Sequence, residues 1–381
     1  MAEKHLHIVS FDIPYPANYG GVIDVYGRIK YLSDYGIKVH LHCFEYSRNH
    51  AHPKELDDIC YSVDYYDRAE GVLKMFSVLP YIVATRHSQK LVENLLQDDY
   101  PIFLEGLHCC MLLKEPRLKG RKIYVRMHNI EHDYYKSLSL VEKSVIKRMY
   151  LKMEVPRLRR FEKILSQATG VFAITRKDEC YLAERCANVY FLPPSLQNEK
   201  VISKEGRGSY ALFHGQLSVA ENYDAVKYLV ENVFSHTSIT FKVAGLNPPA
   251  HLEKFLSDYA NVELIKNPSA EEMEYLVANA HVNVLYTKQS TGLKLKLLNS
   301  LFYGRYCVAN DLMVEGSGLE ELCLIFKDSK DLLSKLEKMF TLDFDRSMIE
   351  QRATFFASSY SNSQTCKTLV ENIYTDDTSY K

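Results

Sequence analysis

No run of this sequence is apolar for long enough to cross a membrane as a helix, which takes about 20 such residues. Residues Met1-Ala2-Glu3-Lys4 lead straight into a strand-like run rather than a leader peptide, which points to the cytoplasm. A cationic excess is also missing: 47 Lys and Arg stand against 48 Asp and Glu, a formal net charge of -1. A protein that works by neutralising nucleic-acid phosphates needs more positive charge than that, so no nucleic-acid partner is expected. The nine cysteines form no Cys-x-x-Cys pair and Cys109 and Cys110 are adjacent, so reduced, mostly buried thiols are expected rather than a disulfide framework or thiolate metal site. Tryptophan is absent while tyrosine reaches 28, which by itself carries no functional meaning.

What is present is an ordinary globular composition, 46% hydrophobic and 25% charged, in 381 residues. That length exceeds what one core usually serves, and two domains of roughly 150 to 200 residues are the natural expectation. His5–Phe11 is an apolar run, a Pro/Gly/Asn loop follows, then a helical pattern from Val22 to Tyr35, then the run Ile37–Phe44: a βαβ unit. Strand-like runs recur at Ile102–Glu105, Lys122–Arg126, Gly170–Ile174 and Val189–Leu192. Pro193-Pro194 and the polar stretch Ser203–Ser209 break the rhythm. A second series follows at Tyr210–His214, Phe241–Gly245, Val262–Ile265, Val282–Leu285, Tyr306–Ala309 and Leu324–Phe326. The pattern predicts an α/β protein of two Rossmann-like, doubly wound parallel-sheet domains, over residues 1–195 and 208–362, facing a central cleft. Ligands of such sheets bind beyond the carboxyl ends of the strands.

Several segments could carry chemistry. The loop Asp12–Gly21 leaves a strand and opens a helix with Gly20 and Gly21 in succession, either a tight βα turn or a place for close backbone approach to a ligand. It is not a Gly-x-Gly-x-x-Gly fingerprint. His128-Asn129-Ile130-Glu131-His132 spells an inverted zinc-protease motif, but it directly follows the strand Lys122–Arg126, whereas that chemistry needs both histidines on one helical face. Glu105 closes a strand, where α/β sheets place functional side chains, and could hold an acceptor hydroxyl or act as a base. Residues 143–163 are rich in Lys and Arg interleaved with apolar residues, which suits either a face lying on anionic lipid or a solvated helix. Finally, Thr291-Gly292-Leu293-Lys294-Leu295-Lys296 follows the strand run His281–Tyr286 and leads through Asn299 to the strand ending at Asn310. A helix starting at Gly292 would turn free N–H groups and two lysines toward an anion, and a diphosphate suits such a place.

This last segment resembles the donor-binding helix of the family 4 glycosyltransferases, which have the GT-B fold and move a sugar from a nucleotide diphosphate to an acceptor. The family's two glutamates, eight positions apart, fall on Thr291 and Asn299, so both carboxylates are missing here. Lys296 falls where one branch has a lysine facing the donor phosphates, and Lys294 where that branch often has arginine. The resemblance also implies that Gly20 and Gly21 close over the donor diphosphate or acceptor, and that His128 faces the donor, with Asn129, Glu131 and His132 on the acceptor side. Gly215 and Gln216, in Phe213–Asn222, match a phosphate-contacting loop whose usual arginine and lysine are here Gln216 and Glu221 or its neighbours. Lys266-Asn267-Pro268 match where main-chain groups meet the nucleobase. A last helix near 363–381 would cross back to the first domain. Retention of anomeric configuration, no metal and no cofactor beyond the nucleotide sugar are implied, with a glycan or lipid-linked acceptor. The alternative is a silent nucleotide-sugar-binding homologue or partner subunit in glycan assembly.

Overall fold

The computed structural model describes residues 3–17, 20–46, 52–142, 144–195, 200–289 and 292–374. The chain divides into two compact units, Met1–Gln197 with Ser358–Lys381, and Asn198–Ala357. Each is built on a parallel sheet. In the first unit the strands are β1 His5–Ser10, β2 Lys38–Glu45, β3 Ser62–Asp67, β4 Ile102–Glu105, β5 Ile123–Met127, β6 Gly170–Ala173 and β7 Val189–Phe191, in the order β3-β2-β1-β4-β5-β6-β7. In the second they are β8 Ala211–Gln216, β9 Phe241–Leu246, β10 Val262–Lys266, β11 Val282–Leu285, β12 Tyr306–Asn310 and β13 Leu324–Phe326, in the order β10-β9-β8-β11-β12-β13. Both orders are the doubly wound Rossmann arrangement, reversing between β1 and β4 and again between β8 and β11.

The central strands β4, β5, β6 and β11 are buried at every residue, as strands covered by helices on both faces must be, and their near-continuous apolar runs follow from that. The sheet edge β3 breaks the rule. Its sequence Ser-Val-Asp-Tyr-Tyr-Asp is half-buried, carries charge, and was not foreseen as a strand; polar residues at an open edge discourage pairing with other chains. The helix Gly20–Asp34 buries Val25, Ile29 and Leu32 against β1 and β2. Asn362–Tyr374 packs on that helix, adding Cys366, Leu369, Val370 and Ile373 to the same core, and the Tyr374 hydroxyl donates to the His5 carbonyl at 2.7 Å. All nine cysteines are free thiols. No helix of the described residues is long and apolar enough to cross a membrane.

Four histidines share one face of β1 and β2, because alternate residues of a strand point the same way. His5 Nδ1 lies 2.9 Å from His40 Nε2, and His7 Nδ1 2.9 Å from His42 Nε2. Asp98 holds His7 Nε2 at 2.9 Å, and the Tyr66 hydroxyl meets His42 Nδ1 at 2.8 Å. Burial, then the neighbouring imidazoles, push His40 down to about 4 and His42 well below its ordinary value; burial also lowers His7 despite Asp98. The unfolded chain therefore takes up protons that the folded unit refuses, and stability falls as pH drops below the ordinary value of 6.5 toward about 4. The melting temperature is expected to fall across that window, and His40→Gln to flatten the fall; a melting temperature unaffected by pH from 7 to 5 would refute the assignment.

Candidate functional site

In an open parallel sheet the loops leave in opposite directions at the point where strand order reverses, and functional groups collect beyond the strand ends there. Each unit carries such a cluster. In the first, Glu105 ends β4 and His128 follows β5 by one residue. Glu105 is fully buried, its Oε1 accepting from Arg28 Nε at 2.9 Å and its Oε2 lying 2.8 Å from His128 Nε2. Arg28 Nη2 donates to Asp24 Oδ2 at 2.6 Å, one helical turn away, and Arg126 Nη2 donates to the same oxygen at 3.1 Å. Asp24 Oδ1 accepts from the Ser195 amide at 2.8 Å, and His128 Nδ1 stands 3.6 Å from Oδ2. Burial works to raise the Asp24 carboxyl, but Arg126, Arg28 and His128, with the Ser195 amide, hold it well below the usual carboxylate range. Glu105 behaves alike: burial raises it, while Arg28 and His128 win and keep it ionised.

This corrects the expectation for Glu105. A carboxylate without solvent exposure and committed to Arg28 cannot meet an acceptor hydroxyl; it positions the His128 ring instead. The inverted zinc reading also fails on geometry. His132 is buried within the helix Glu131–Val141, its Nδ1 3.0 Å from Glu162 Oε2, while His128 lies before the helix and engages different carboxylates. Glu131 is buried as well, and burial followed by Glu162 pushes its carboxyl up to about 8, against Arg86 and Asn129, so it is a neutral acid at pH 7. Asn129 is half-buried beside it. Gly20 and Gly21 open the helix that carries Asp24 and Arg28.

In the second unit the helix after β11 spans Leu295–Tyr303, three residues later than a start at Gly292. Gly292 sits at φ +62°, in the left-handed region that favours glycine, and Leu293 and Lys294 intervene before the first helical residue. Lys294 is therefore the residue just before the helix, and Lys296 lies in its first turn, where backbone N–H groups have no partner four residues back. Lys296 Nζ donates to Asn222 Oδ1 at 3.2 Å and stands 5.0 Å from the centre of the Phe213 ring. Burial pushes its ammonium down to about 8, opposed by Glu221 and reinforced by Lys294. Glu221 itself accepts from the Thr287 hydroxyl and from Gln289 Nε2, the latter at 2.6 Å. Beneath lies His214, pushed down to about 3 by burial and by Lys296, its Nε2 3.2 Å from the Ser300 hydroxyl.

The adjoining loops approach closely. A Cβ on Gly245 would stand 1.8 Å from the Gly215 carbonyl oxygen, so only glycine fits where β8 and β9 end. Gln216 is exposed at the end of β8, its carbonyl accepting from Asn222 Nδ2 at 2.9 Å. Asn267, in left-handed conformation, accepts from the Asn247 amide at 2.6 Å and donates its own N–H to Gly245 at 2.9 Å. Asn299 is exposed one helical step beyond Lys296. Thr291 lies outside the described residues. The structure thus gathers Gly215, Asn222 and Lys296 at one strand end. Asn222, Asp24, Arg28 and Arg126 had been overlooked, although Asp24 and Arg28, four apart on the apolar face of Val22-Ile23-Asp24-Val25-Tyr26-Gly27-Arg28-Ile29, were the visible clue.

Removing the Asp24 charge leaves two buried guanidiniums short of an anion, so Asp24→Asn is expected to cost about 3 to 5 kcal/mol. Denaturant unfolding measures this, and an unchanged midpoint would show that the network contributes no stability.

Residues 208–341 match the family model for "Glycosyl transferases group 1". A Klebsiella pneumoniae protein described as an "Uncharacterized 44.6 kDa protein in cps region" is 26% identical over 330 residues, covering 82% of this chain and 84% of that protein. Among solved structures, TarM aligns with a TM-score of 0.68 at 10% identity, covering 98% of this chain and 99% of that one. Sucrose-phosphate synthase from Thermosynechococcus elongatus aligns with a TM-score of 0.65 at 14% identity, covering 97% and 96%. Anabaena HepE, solved in complex with UDP and glucose, aligns at 0.63 with 10% identity, covering 98% and 99%. At such identities the likeness is one of fold. The chain accordingly has the GT-B fold, and its second unit carries the match to the glycosyl transferases group 1.

Proposed function

We propose that this protein is a glycosyltransferase that takes a sugar from a nucleotide diphosphate sugar and passes it to a glycan or lipid-linked acceptor. The observation that carries the reading is the lysine-bearing helix start of the second unit, where Lys296, Lys294 and the first N–H groups of Leu295–Tyr303 flank a strand end stripped of side chains at Gly215 and Gly245. A diphosphate meets there two cations and a helix dipole, which stabilise the charge that develops on the leaving group. In this reading no metal is needed and the anomeric configuration is retained. Asn299 offers its amide oxygen to the ribose, and main-chain groups near Asn267 meet the base.

His128 then acts on the bound substrate. If Nε2 carries the proton given to Glu105, Nδ1 presents a lone pair that the ionised Asp24 oxygen 3.6 Å away cannot satisfy and that a sugar hydroxyl can. His128→Ala is expected to lower turnover about 10²-fold. It also costs stability of about 1 to 3 kcal/mol, because buried Glu105 loses a partner. Glu105→Gln keeps the shape and is expected to lower kcat with little change in donor KM. Normal turnover in both variants would remove this cluster from the reaction.

The donor half is tested by calorimetric titration with UDP-, GDP-, ADP- and CMP-sugars, followed by assay of donor consumption. Binding of one without consumption would favour a silent partner subunit, the reading suggested by Asn299 standing where the resembling family has a glutamate. Because the free Lys296 ammonium titrates near 8, donor affinity is expected to weaken above that pH by up to tenfold per pH unit, as the cation is lost. Lys296→Arg, which stays charged, should remove this dependence. Affinity flat from pH 7 to 10 in the unaltered protein would exclude Lys296 from the donor site.

A further inference from the structure

The helices Glu131–Val141 and Val145–Phe161 pack together as a hairpin joined by residues 142–144. Its tip is apolar and faces solvent: Leu140, Val145, Ile146 and Met149 are between 61 and 78% exposed, and toward the other end of the second helix Phe76 and Val78 of an adjoining loop are 75 and 77% exposed. That loop is tied to the hairpin, since Arg157 Nη1 donates to the Met75 carbonyl at 2.7 Å and Glu154 accepts from the Tyr81 amide at 2.7 Å. Of the apolar residues in the second helix, Leu158 and Phe161 fill the core, whereas Val145, Ile146 and Met149 recur at the spacing of one outward stripe. Six cations lie on the same helix against one carboxylate, Glu154, which is buried and paired with Arg157. At the far end a groove of about 290 Å³ runs between Val78 and Phe161 and is lined by Lys114, Arg160 and Lys163.

We propose that this hairpin docks on an anionic lipid bilayer, its apolar tip entering the acyl boundary while the groove takes a lipid head-group phosphate. Charge complementarity selects this occupant. The centre of a protein–protein interface is depleted in lysine, whereas here Lys147, Arg148 and Lys152 interleave with the exposed apolar stripe, which matches phosphates lying directly above hydrocarbon. Arg157, tied to Glu154 and to the Met75 carbonyl, lines the groove beside Lys114, Arg160 and Lys163. Docking does not depend on donor chemistry, so its failure and that of the transferase reading are separable.

Vesicles of phosphatidylglycerol mixed with phosphatidylcholine are expected to sediment at least tenfold more protein than phosphatidylcholine alone, and to release it at about 0.5 M salt. Ile146→Glu combined with Met149→Glu should abolish sedimentation while leaving melting temperature and donor affinity unchanged. Since the chain has no tryptophan, Ile146→Trp supplies a lone reporter whose emission should move to shorter wavelength on anionic vesicles and be quenched by brominated acyl chains. Equal sedimentation with neutral vesicles, no sedimentation, or an unshifted emission in bound protein would overturn the proposal. So would a lipid-free dimer that the double substitution turns into a monomer, since the stripe would then be a contact between copies of this chain.

Discussion

The first unit depends on the carboxylate of Asp24. One side chain accepts from two guanidiniums and a backbone amide, and through them it joins the helix Gly20–Asp34 to β5 and to the segment leaving β7. Arg126 extends the tie by donating to the carbonyls of Ala173 and Leu192, and Gly27 lets Ser195 come close enough for its amide to reach. Burying these charges is costly, and the arrangement holds because almost every one faces an opposite charge or a carbonyl. Its return is geometric: Glu105, which balances Arg28, also hydrogen-bonds His128 Nε2, while Asp24 stands 3.6 Å from Nδ1.

The second unit solves a different problem by leaving a charge under-compensated. Lys296 has an amide oxygen and an aromatic face beside it, while Glu221, the nearest acid to influence it, is occupied by Thr287 and Gln289. A cation kept partly desolvated and weakly partnered suits the proposed anion from outside, whereas the paired cations of the first unit do not. Buried charge is thus densely paired in one unit and sparsely paired in the other, which fits the anion site proposed there.

Much of the fold was legible because central parallel strands must be apolar on both faces, and runs such as Ile102–Glu105 and Val282–Leu285 announce themselves. The edge strand Ser62–Asp67 escaped because an edge needs no such run. The helix start after Gly292 was misplaced by three residues, since a glycine signals a turn but not how many residues the turn consumes. Within the site, Lys296 and His128 stood out by position, but the burial of Glu105 could not be read, because Arg28 lies 77 residues away in sequence. Likewise, periodicity showed that the Val145–Phe161 helix has apolar residues on it, but not that several of them face water.

The return of Asn362–Tyr374 to the first unit bears on how the chain is made. Leu369, Val370 and Ile373 belong to the core that also holds Val25, Ile29 and Leu32, so the unit begun first on the ribosome is the last to close. Asn198–Ala357, by contrast, is contiguous in sequence and needs no segment from elsewhere to complete its core. Until the last helix arrives, the part of the Gly20–Asp34 surface that it covers is left to solvent.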